Sequence, residues 1–449
     1  MKQSDFWKQV LSLALPVAAQ GLLYAFLAII NQLMVGQLGE SSVVAVALGS
    51  KVMSIMAFTQ MGLTAGLGIL ASQHVGRSQR EKIAPLQGML LLVGIGVSLI
   101  FMLISVAFPH WAMSLFTADP QVIAIGSSYQ RLLGLSYLPA MLIGIYATTL
   151  RSDGIVKLPL YISLATVPLE ALFNFAFVFG HFGFPKLGVK GAGLSTTIVV
   201  VIELVAFLIL IYGGKLTGNF SIRQMLNFHF RDVEIKQFWR LTLPLLGDNL
   251  SFILSGSIIG AIYGFMGTVQ TTAVTIMQPI EMLLITFFGG FSTATSVMVG
   301  HRLGRDDMDD AYHTSKRLIW LSILAPLVIA FLLLIPMPWY LSFYKLTPES
   351  LSLTKTIMLV MAIFLPSKIV NMVLGSVLGA GGETKFIFYL SILGGWILAI
   401  PIGLITAFVL HWDIVWVYAA VTFEELVRAL LGGWKMRTRT WLNNLVKEN

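Results

Sequence analysis

Cysteine is absent from the 449 residues of this chain, and charged residues make up only 11% of them. The first absence excludes a disulfide framework, an iron–sulfur cluster and thiol catalysis. The second excludes a soluble globular protein, which carries about 25% charged residues. The 7 histidines contain no His-x-x-x-His pair, and no Ser/His/Asp arrangement stands out. We therefore expect a protein that is not an enzyme.

A metal centre is also not indicated. The densest acidic group is the run of four aspartates within 306–310, and it follows directly after Arg302 and Arg305. Acidic and basic residues mixed in this way are typical of a solvated loop rather than of a metal site. The sequence therefore predicts no metal and no cofactor.

Hydrophobic residues, in contrast, make up 57% of the chain, which predicts a polytopic membrane protein. A helix that spans a bilayer needs about 20 apolar residues. Twelve stretches qualify, with bounds that are uncertain by ~2–4 residues. They are 9–34, 42–71, 86–108, 122–149, 158–180, 191–213, 238–263, 270–299, 318–338, 350–377, 386–410 and 413–434.

The chain contains one unit twice. Residues 36–77 recur at 264–305, and the matched positions differ by 228 in residue number. Matched glycine, proline, tryptophan and arginine are informative because each has a specific backbone or interface role. The pairs include Pro16 and Pro244, Gly36 and Gly264, Gly62 and Gly290, Arg77 and Arg305, and Trp111 and Trp339. An internal repeat in so apolar a chain is typical of membrane transporters.

The repeat defines the expected domains. We predict an all-α integral membrane protein of 12 transmembrane helices, in two pseudo-symmetric six-helix lobes with a central cavity. The first lobe is 1–213 and the second is 238–449, ending in a short tail. Residues 214–237 mix Phe, Met and Leu with Arg, Lys and His, which favours a cytoplasmic, interfacial linker helix between the lobes. Gly256, Gly260 and Gly264 recur every four residues, a spacing that permits close helix packing.

The distribution of positive charge predicts the orientation in the membrane. With the amino terminus in the cytoplasm, 21 of the 29 lysines and arginines fall on that side and 3 on the other. The asymmetry places both termini in the cytoplasm. We attribute the net charge of +8 to this topology and expect no nucleic-acid partner, because no basic run is interleaved with aromatic residues.

Ionisable residues inside the predicted spans are the first functional candidates, because burying them in a bilayer is costly. Asp248 follows Pro244 by four residues, so a carboxylate lies beside an interrupted helix. It is a candidate proton or cation site. The alternative is an acid paired with a lysine such as Lys368, and the sequence leaves both open.

Further candidates share helix faces. Glu281 lies three residues after Gln278, and Glu170 lies four residues before Asn174. Glu281 is a candidate for a cavity-facing acid, whereas a structural hydrogen bond is the alternative for Glu170 and Asn174. On the last span Glu424 and Arg428 are four apart and predict an internal salt bridge, which leaves Glu425 as the freer carboxylate. Glu203 and Arg131 are too isolated to assign.

The coupling-ion candidates are therefore Asp248, Glu281, Glu170, Asn174 and Glu425. Lys368 follows Pro366, and it could bind an anionic substrate group or neutralise a carboxylate. Asn31 and Gln32 could line a cavity or form a polar clasp between helices. The substrate-cavity candidates are Asn31, Gln32, Lys51, Gln278, Lys368 and Asn371.

Several segments resemble the multidrug and toxic compound extrusion (MATE) family, and the resemblance covers essentially the whole chain. They are VGQLG at 35–39, GLTAGLGILASQHVGR at 62–77, FNFAFVFG at 173–180, GVKGAGLSTTI at 188–198 and GGFSTATSVMVGHRLGR at 289–305. The resemblance implies two six-helix lobes in a V around a central cavity. It also implies alternating access that exports amphiphilic compounds in exchange for protons or sodium ions.

The sequence departs from the family pattern at three places. Where many members carry an acid in the first span, this chain has Asn31. Where an acid often follows the span-five asparagine by four residues, this chain has Val178. A span-ten aspartate falls, within a residue, at Lys368. If the protein is ion-coupled, as the resemblance implies, other carboxylates must serve. An anionic or zwitterionic substrate also becomes an option.

We therefore expect a secondary active exporter of drugs or metabolites, coupled to protons in preference to sodium. We expect it to be a monomer in the bilayer of the plasma (inner) membrane. The alternative is a flippase for a lipid-linked or other anionic precursor, which would need a strongly cationic cavity. Lys51, Arg131 and Lys368 are countered by Asp248, Glu281 and Glu170, so the flippase ranks second.

Overall fold

The computed structural model describes residues 3–213, 225, 233–333, 335–344 and 346–447. Within these residues every regular element is a helix. The predicted linker 214–237 falls largely on residues outside this set, namely 214–224 and 226–232. It therefore stays a prediction.

Eight α-helices form the described part of the chain up to residue 213. They are α1 Gln3–Gly36, α2 Glu40–Gly76, α3 Ile83–Ala107, α4 Pro109–Ser114, α5 Pro120–Leu133, α6 Tyr137–Ser152, α7 Lys157–Phe179 and α8 Val189–Tyr212. A 3₁₀ turn, Gly134–Ser136, joins α5 to α6, so the two follow one another without a loop.

The described residues from 233 onward form nine more α-helices. They are α9 Val233–Phe265, α10 Thr268–Gly304, α11 Met308–Leu333, α12 Met337–Ser342, α13 Pro348–Ala380, α14 Thr384–Ile392, α15 Ile400–Leu404, α16 Ile414–Thr422 and α17 Glu424–Arg437. Two π-helical stretches, Leu393–Ala399 and Ile405–Val409, follow α14 and α15.

Eleven helices of the described chain are long and apolar enough to cross a membrane. The predicted number of twelve is close. The difference lies at the predicted span 413–434, which forms two helices, α16 and α17, that meet at Phe423. Glu424, Glu425 and Arg428 interrupt the apolar run here, so the segment lacks one continuous hydrophobic helix of spanning length.

Large apolar side chains cover much of the outer surface of these helices. Phe331, Ile363 and Leu430 are 68%, 71% and 66% exposed. In water such a surface would drive aggregation, whereas in a bilayer it contacts acyl chains of equal polarity. The exposed side chains therefore agree with a protein that spans the membrane many times.

The duplication in the sequence is repeated in the helix bounds. Both ends of α2 and α10 differ by 228 in residue number, and so do both ends of α4 and α12. The caps repeat as well. Asp119 accepts hydrogen bonds from the backbone at the start of α5, and Thr347 does so at the start of α13.

Unusual backbone conformations also recur at this spacing. Gly39 and Gly267, which precede α2 and α10, have φ of 102° and 127°. Ser78 and Asp306, which follow the same two helices, have φ of 64° and 65°. The second pair lacks glycine, so the left-handed turn is retained although each side chain makes it less favourable. The repeat is therefore a repeat of backbone geometry and not only of residue types.

The chain divides into two compact units. The first unit is Leu15–Thr242, and the second consists of the residues up to Ala14 together with those from Leu243 onward. The first turns of α1 thus pack within the second unit, where Gln9 accepts a hydrogen bond from Arg302 and Arg317 lies over the ring of Phe6. The predicted lobe bounds, 1–213 and 238–449, stay a prediction.

The structure differs from one packing expectation. An added Cβ at Gly256, Gly260 or Gly264 would meet nothing within 4 Å in the described chain. These glycines face open space instead of a closely packed helix, so their four-residue spacing does not mark a helix contact. The close approaches lie elsewhere, as at Gly191, where an added Cβ would lie 2.6 Å from the backbone of Phe177.

Candidate functional site

Four helices of the second unit bring ionisable groups together, and we call this set the Lys368 cluster. Its members are Asp248 on α9, Glu281 on α10, Lys368 and Asn371 on α13, and Glu424, Glu425 and Arg428 on α17. Five of the seven are sequence-predicted candidates. The long stretches between them in the chain show that helix packing, not local spacing, assembles the set.

Lys368 donates a hydrogen bond to Glu281 Oε1, and the two form an ion pair. Their side chains are 18% and 14% exposed. Each follows a helix-interior proline by two residues, Pro366 in α13 and Pro279 in α10. Because proline removes a backbone hydrogen bond of its helix, both charges lie where the helical ladder is interrupted.

Glu425 accepts three hydrogen bonds from two side chains. Asn371 Nδ2 donates to the Glu425 backbone oxygen at 2.8 Å and to its Oε2 at 2.6 Å. Arg428 Nη2 donates to the same Oε2 at 2.8 Å, and Arg428 Nε lies 2.7 Å from Glu424 Oε2. The predicted pair of Glu424 and Arg428 is therefore present. The expectation that Glu425 is the freer carboxylate is wrong, because Arg428 bridges both acids.

Asp248 lies beside Ser391 on α14 and within electrostatic reach of Arg428. The sequence left open a pairing with Lys368. In the structure Lys368 is engaged by Glu281, so Asp248 faces a cation that two glutamates already share. The carboxylate of Asp248 therefore belongs to the cluster, and among the described residues it has no ion-pair partner of its own.

The charges of the Lys368 cluster do not balance. Lys368 and Arg428 are its two cations, whereas Asp248, Glu281, Glu424 and Glu425 are four carboxylic acids. Full ionisation would leave two uncompensated negative charges in a part of the protein that is mostly shielded from water, which is unfavourable. The cluster can gain stability by taking up protons or a small cation, and this is the chemistry that its residues can perform.

A glycine just after α14 makes room for part of this network. Gly394 lies in the π-helical stretch Leu393–Ala399, and an added Cβ would collide with Glu424 Oε2 and approach Arg428 Cδ to 2.6 Å. Because Gly394 has no side chain, Glu424 and Arg428 of α17 can rest directly against its backbone. π-Helical turns inside α-helices occur frequently at functional sites.

The first unit has a smaller polar set. Asn174 Nδ2 donates to Asn31 Oδ1 at 2.6 Å, and Asn31 in turn lies beside Glu170. Thr196 Oγ1 donates to Glu170 Oε1 at 2.7 Å. Asn174 is 1% exposed, and its Oδ1 has no hydrogen-bond partner in the described chain. The sequence-predicted polar clasp between helices thus includes Asn31, together with a buried acid.

Comparison with known proteins gives the family. The family model named MatE matches residues 16–176 and 244–405, and the starts of the two matches differ by 228. The chain belongs to the MatE family. Because members of this family are membrane transporters, the MatE chain is a multi-pass membrane transporter.

Curated relatives agree with this assignment over most of their length. The chain is 24% identical over 452 residues to the uncharacterized transporter YisQ of Bacillus subtilis (strain 168), covering 98% of this chain and 96% of that protein. It is 24% identical over 376 residues to the probable multidrug resistance protein NorM of Streptococcus pneumoniae (strain ATCC BAA-255 / R6), covering 83% and 82%.

Solved structures show the same fold. An outward-facing multidrug resistance MATE family transporter of the MOP superfamily superposes with a TM-score of 0.86 at 17% identity, covering 96% of this chain and 95% of that one. A MOP superfamily transporter from Pyrococcus furiosus, for which a reverse polarity of the binding pocket is described, gives 0.87 at 16% identity, with 96% and 95% covered. These likenesses support the fold of the MatE chain.

Three predicted substrate-cavity residues are not hydrogen bonded to either polar set in the described chain. Gln32, Lys51 and Gln278 are exposed on their units. Among the described residues the structure gives them no hydrogen bond to either set. Gln278 and Glu281 share a helix, yet only Glu281 reaches Lys368. Their roles in the MatE chain therefore stay predictions from the sequence.

Sequence reasoning missed several polar residues. Tyr263 and Tyr418, 6% and 4% exposed, have ring centroids 6.3 Å apart, and both lie near Lys368 and Glu281. In the first unit Tyr24 lies 2.8 Å from Glu203. Tyrosines in an apolar chain gave no usable signal, because an aromatic residue is at least as often part of a core or a membrane interface.

A cavity of about 760 Å³ lies elsewhere in the second unit, where α9 ends and α13 begins. Its lining includes Phe265, Gln270, Glu349, Trp412, Asp413 and Ile414. None of the predicted candidates lines it. The Lys368 cluster and this cavity are therefore separate features of the second unit.

Proposed function

We propose that the protein is a secondary active exporter that moves amphiphilic small molecules out of the cell in exchange for protons, by alternating access. Sodium ions are the second choice for the coupling ion. The NorM-like relatives support multidrug efflux as the physiological task. The substrate range includes anionic or zwitterionic compounds, because a span-ten aspartate of the family pattern falls, within a residue, at Lys368.

The observation that carries the proposal is the excess of acids over cations in the Lys368 cluster. A proton that binds Glu281 removes the attraction between Glu281 and Lys368, so the lysine is free to interact with another carboxylate or with a substrate. A ligand shifts a conformational equilibrium only by its different affinity for the two states. The ion pair supplies that difference, because it is intact in one protonation state and lost in the other.

We propose further that the protein resides in the plasma membrane as a monomer, with both termini in the cytoplasm. The support is the excess of lysine and arginine on that side in the twelve-span arrangement. A protease added to right-side-out vesicles is expected to spare a tag on either terminus.

The test uses the purified full chain in liposomes or inverted vesicles, with a proton gradient, a sodium gradient or neither. A panel of cationic, zwitterionic and anionic fluorescent compounds is offered to each. We expect accumulation only with the proton gradient, and collapse when a protonophore is added. Asp309→Asn is the matched control, because that aspartate is 83% exposed and outside the Lys368 cluster. Flux that needs no gradient would refute secondary coupling.

The flippase alternative is less well supported. A diphosphate group needs a surplus of cations, whereas the Lys368 cluster has a surplus of acids. Detection of translocated lipid-linked precursor by thin-layer chromatography in the same liposomes would reverse this order.

A further inference from the structure

The segment that follows α17 lies across the ends of other helices of the second unit, and we call it the Trp441 strap. It consists of residues 438–447, which form no helix. Trp441 is nevertheless 0% exposed and Val446 is 7% exposed. A side chain as large as tryptophan is fully buried only where its surroundings provide a matching site. The strap is therefore packed onto the second unit as a part of its structure.

Two consecutive asparagines of the strap cap two different helices. Asn443 Nδ2 donates to the backbone oxygen of Gly381, the residue just after α13, at 3.3 Å. Asn444 Nδ2 donates to the backbone oxygen of Gly304, the last residue of α10, also at 3.3 Å. The last carbonyl groups of a helix have no partner within that helix, so they accept hydrogen bonds from such side chains. The strap therefore holds the ends of α10 and α13 beside each other.

The close approach of the strap depends on Gly381. An added Cβ at this position would collide with the backbone oxygen of Trp441 and would lie 3.0 Å from its ring atom Cε3. The buried indole has its own polar atom satisfied, because Trp441 Nε1 donates to the backbone oxygen of Met436 at 2.9 Å. A side chain at position 381 would therefore displace the strap.

Two ion pairs also join the strap to the segment that follows α10. Lys447 Nζ lies 3.1 Å from Asp306 Oδ2, and Arg439 Nη1 lies 3.3 Å from Asp309 Oδ1. The four side chains are between 49% and 83% exposed. Ion pairs as exposed as these stabilise a protein little. The buried indole and the two asparagine side chains therefore provide most of the attachment.

The internal repeat shows which contact the strap replaces. In the first unit Arg80, which follows α2, forms an ion pair with Asp153, which follows α6, at 2.8 Å. The offset of 228 places Met308 and Gly381 at these two positions of the second unit. Neither residue has a charged side chain, so this ion pair cannot form there.

The backbone around these positions is otherwise the same in both units. Ser78 and Asp306 have φ of 64° and 65°, and Gly154 and Gly382 have φ of 83° and 87°. Each pair differs by 228 in residue number. The turns are therefore repeated, whereas the connection between them is an ion pair in the first unit and the strap in the second.

We propose that the Trp441 strap is a conformational brace that takes the place of the Arg80–Asp153 ion pair in the second unit and keeps the ends of α10 and α13 together. These two helices carry Glu281 and Lys368, so the strap braces the helices that support the Lys368 cluster. The inference goes beyond the proposed exchange and does not depend on it, since the brace acts whichever ion drives transport.

Hydrogen exchange of the full chain in detergent, followed by mass spectrometry, tests the two caps separately. Asn444→Ala is expected to speed exchange in the last two turns of α10 about fivefold, the change that loss of one ordinary hydrogen bond produces, and to leave α13 unchanged. Asn443→Ala is expected to act on the end of α13 instead. Trp434→Ala is the control, because that side chain is 62% exposed and outside the strap. Unchanged exchange in both asparagine variants would overturn the proposal.

Transfer of the ion pair from the first unit provides the second measurement. Met308→Arg combined with Gly381→Asp is expected to lower the melting temperature of the otherwise unchanged protein, because the new side chain at 381 collides with Trp441. In a chain whose strap is released by Trp441→Ala and Asn444→Ala, the same transfer is expected to raise it. An effect of the same sign in both backgrounds would contradict the proposed replacement. If the released chain does not fold, the two single asparagine variants still decide the proposal.

Discussion

Lys368 on α13 and Glu281 on α10 form an ion pair in which each member follows a helix-interior proline by two residues. The two helices are thus interrupted at the level where their charges meet. Interrupted spans with free backbone groups are a recurrent way to build binding sites inside membrane proteins. The pair therefore combines a charge that can be neutralised with a backbone that can adjust.

The first prediction concerns this pair. Glu281→Gln leaves Lys368 in a shielded position with a neutral partner, and removing one partner of a buried pair costs about 3–5 kcal/mol. We expect the single variant to melt at a lower temperature. Glu281→Gln combined with Lys368→Met removes both charges and is expected to recover most of the loss, yet to remain inactive in transport.

Thermal unfolding in detergent and transport in liposomes provide the two measurements. Lys368→Met alone completes the cycle and gives the coupling energy of the two residues. A double variant no more stable than Glu281→Gln would mean that the pair does not stabilise the fold. A double variant with normal gradient-driven transport would remove the pair from the mechanism.

A second prediction concerns Asp248, which has no ion-pair partner of its own in the cluster. Asp248→Asn keeps the shape of the side chain, but it cannot gain or lose a proton. We expect transport to fall by more than about tenfold, which corresponds to about 1.4 kcal/mol of activation free energy. Folding, followed by size-exclusion chromatography, is expected to be unchanged. Normal proton-driven efflux by this variant would eliminate the proposed role.

A third prediction uses the space beside the Lys368 cluster. Gly394→Ala puts a methyl group where Glu424 and Arg428 lie, so the bridge between Arg428 and its two acids must shift. We expect reduced transport in protein that still folds. Gly433→Ala on α17 is the matched control, because an added Cβ there meets nothing within 4 Å. Equal activity of the two variants would show that the position of the bridge is unimportant.

A fourth prediction tests the structural repeat. Gly39 and Gly267 precede α2 and α10 with φ of 102° and 127°, a region that is costly for any residue with a Cβ. Gly39→Ala and Gly267→Ala are each expected to destabilise the protein by about 1–3 kcal/mol. Gly36→Ala, in open space with an ordinary φ, is expected to have little effect. The comparison is made by thermal unfolding, and a neutral result at either glycine would contradict the backbone repeat.

Much of the fold could be predicted from residues that act locally. Proline, glycine and capping residues fix the backbone within one or two turns, so the spacing of 228 in the sequence reappears in the bounds of α2 and α10 and in the φ of Gly39 and Gly267. The one difference in the span count arose where Glu424 and Glu425 begin α17. There the charged residues weaken the local apolar pattern that would otherwise predict a spanning helix.

The partners of the polar residues could not be predicted in this way. The sequence by itself determined that the chain spans a membrane many times, that it contains one unit twice, and that Asp248, Glu281 and Lys368 are candidates. Only the tertiary structure decided that Lys368 meets Glu281, that Arg428 holds both of its neighbouring glutamates, and that Tyr24 meets Glu203. Apolar periodicity and backbone constraints act between residues that are close in the chain. The partner of a buried charge, in contrast, comes from whichever helix packs beside it. That choice depends on the rotation and offset of whole helices, which no short stretch of sequence contains.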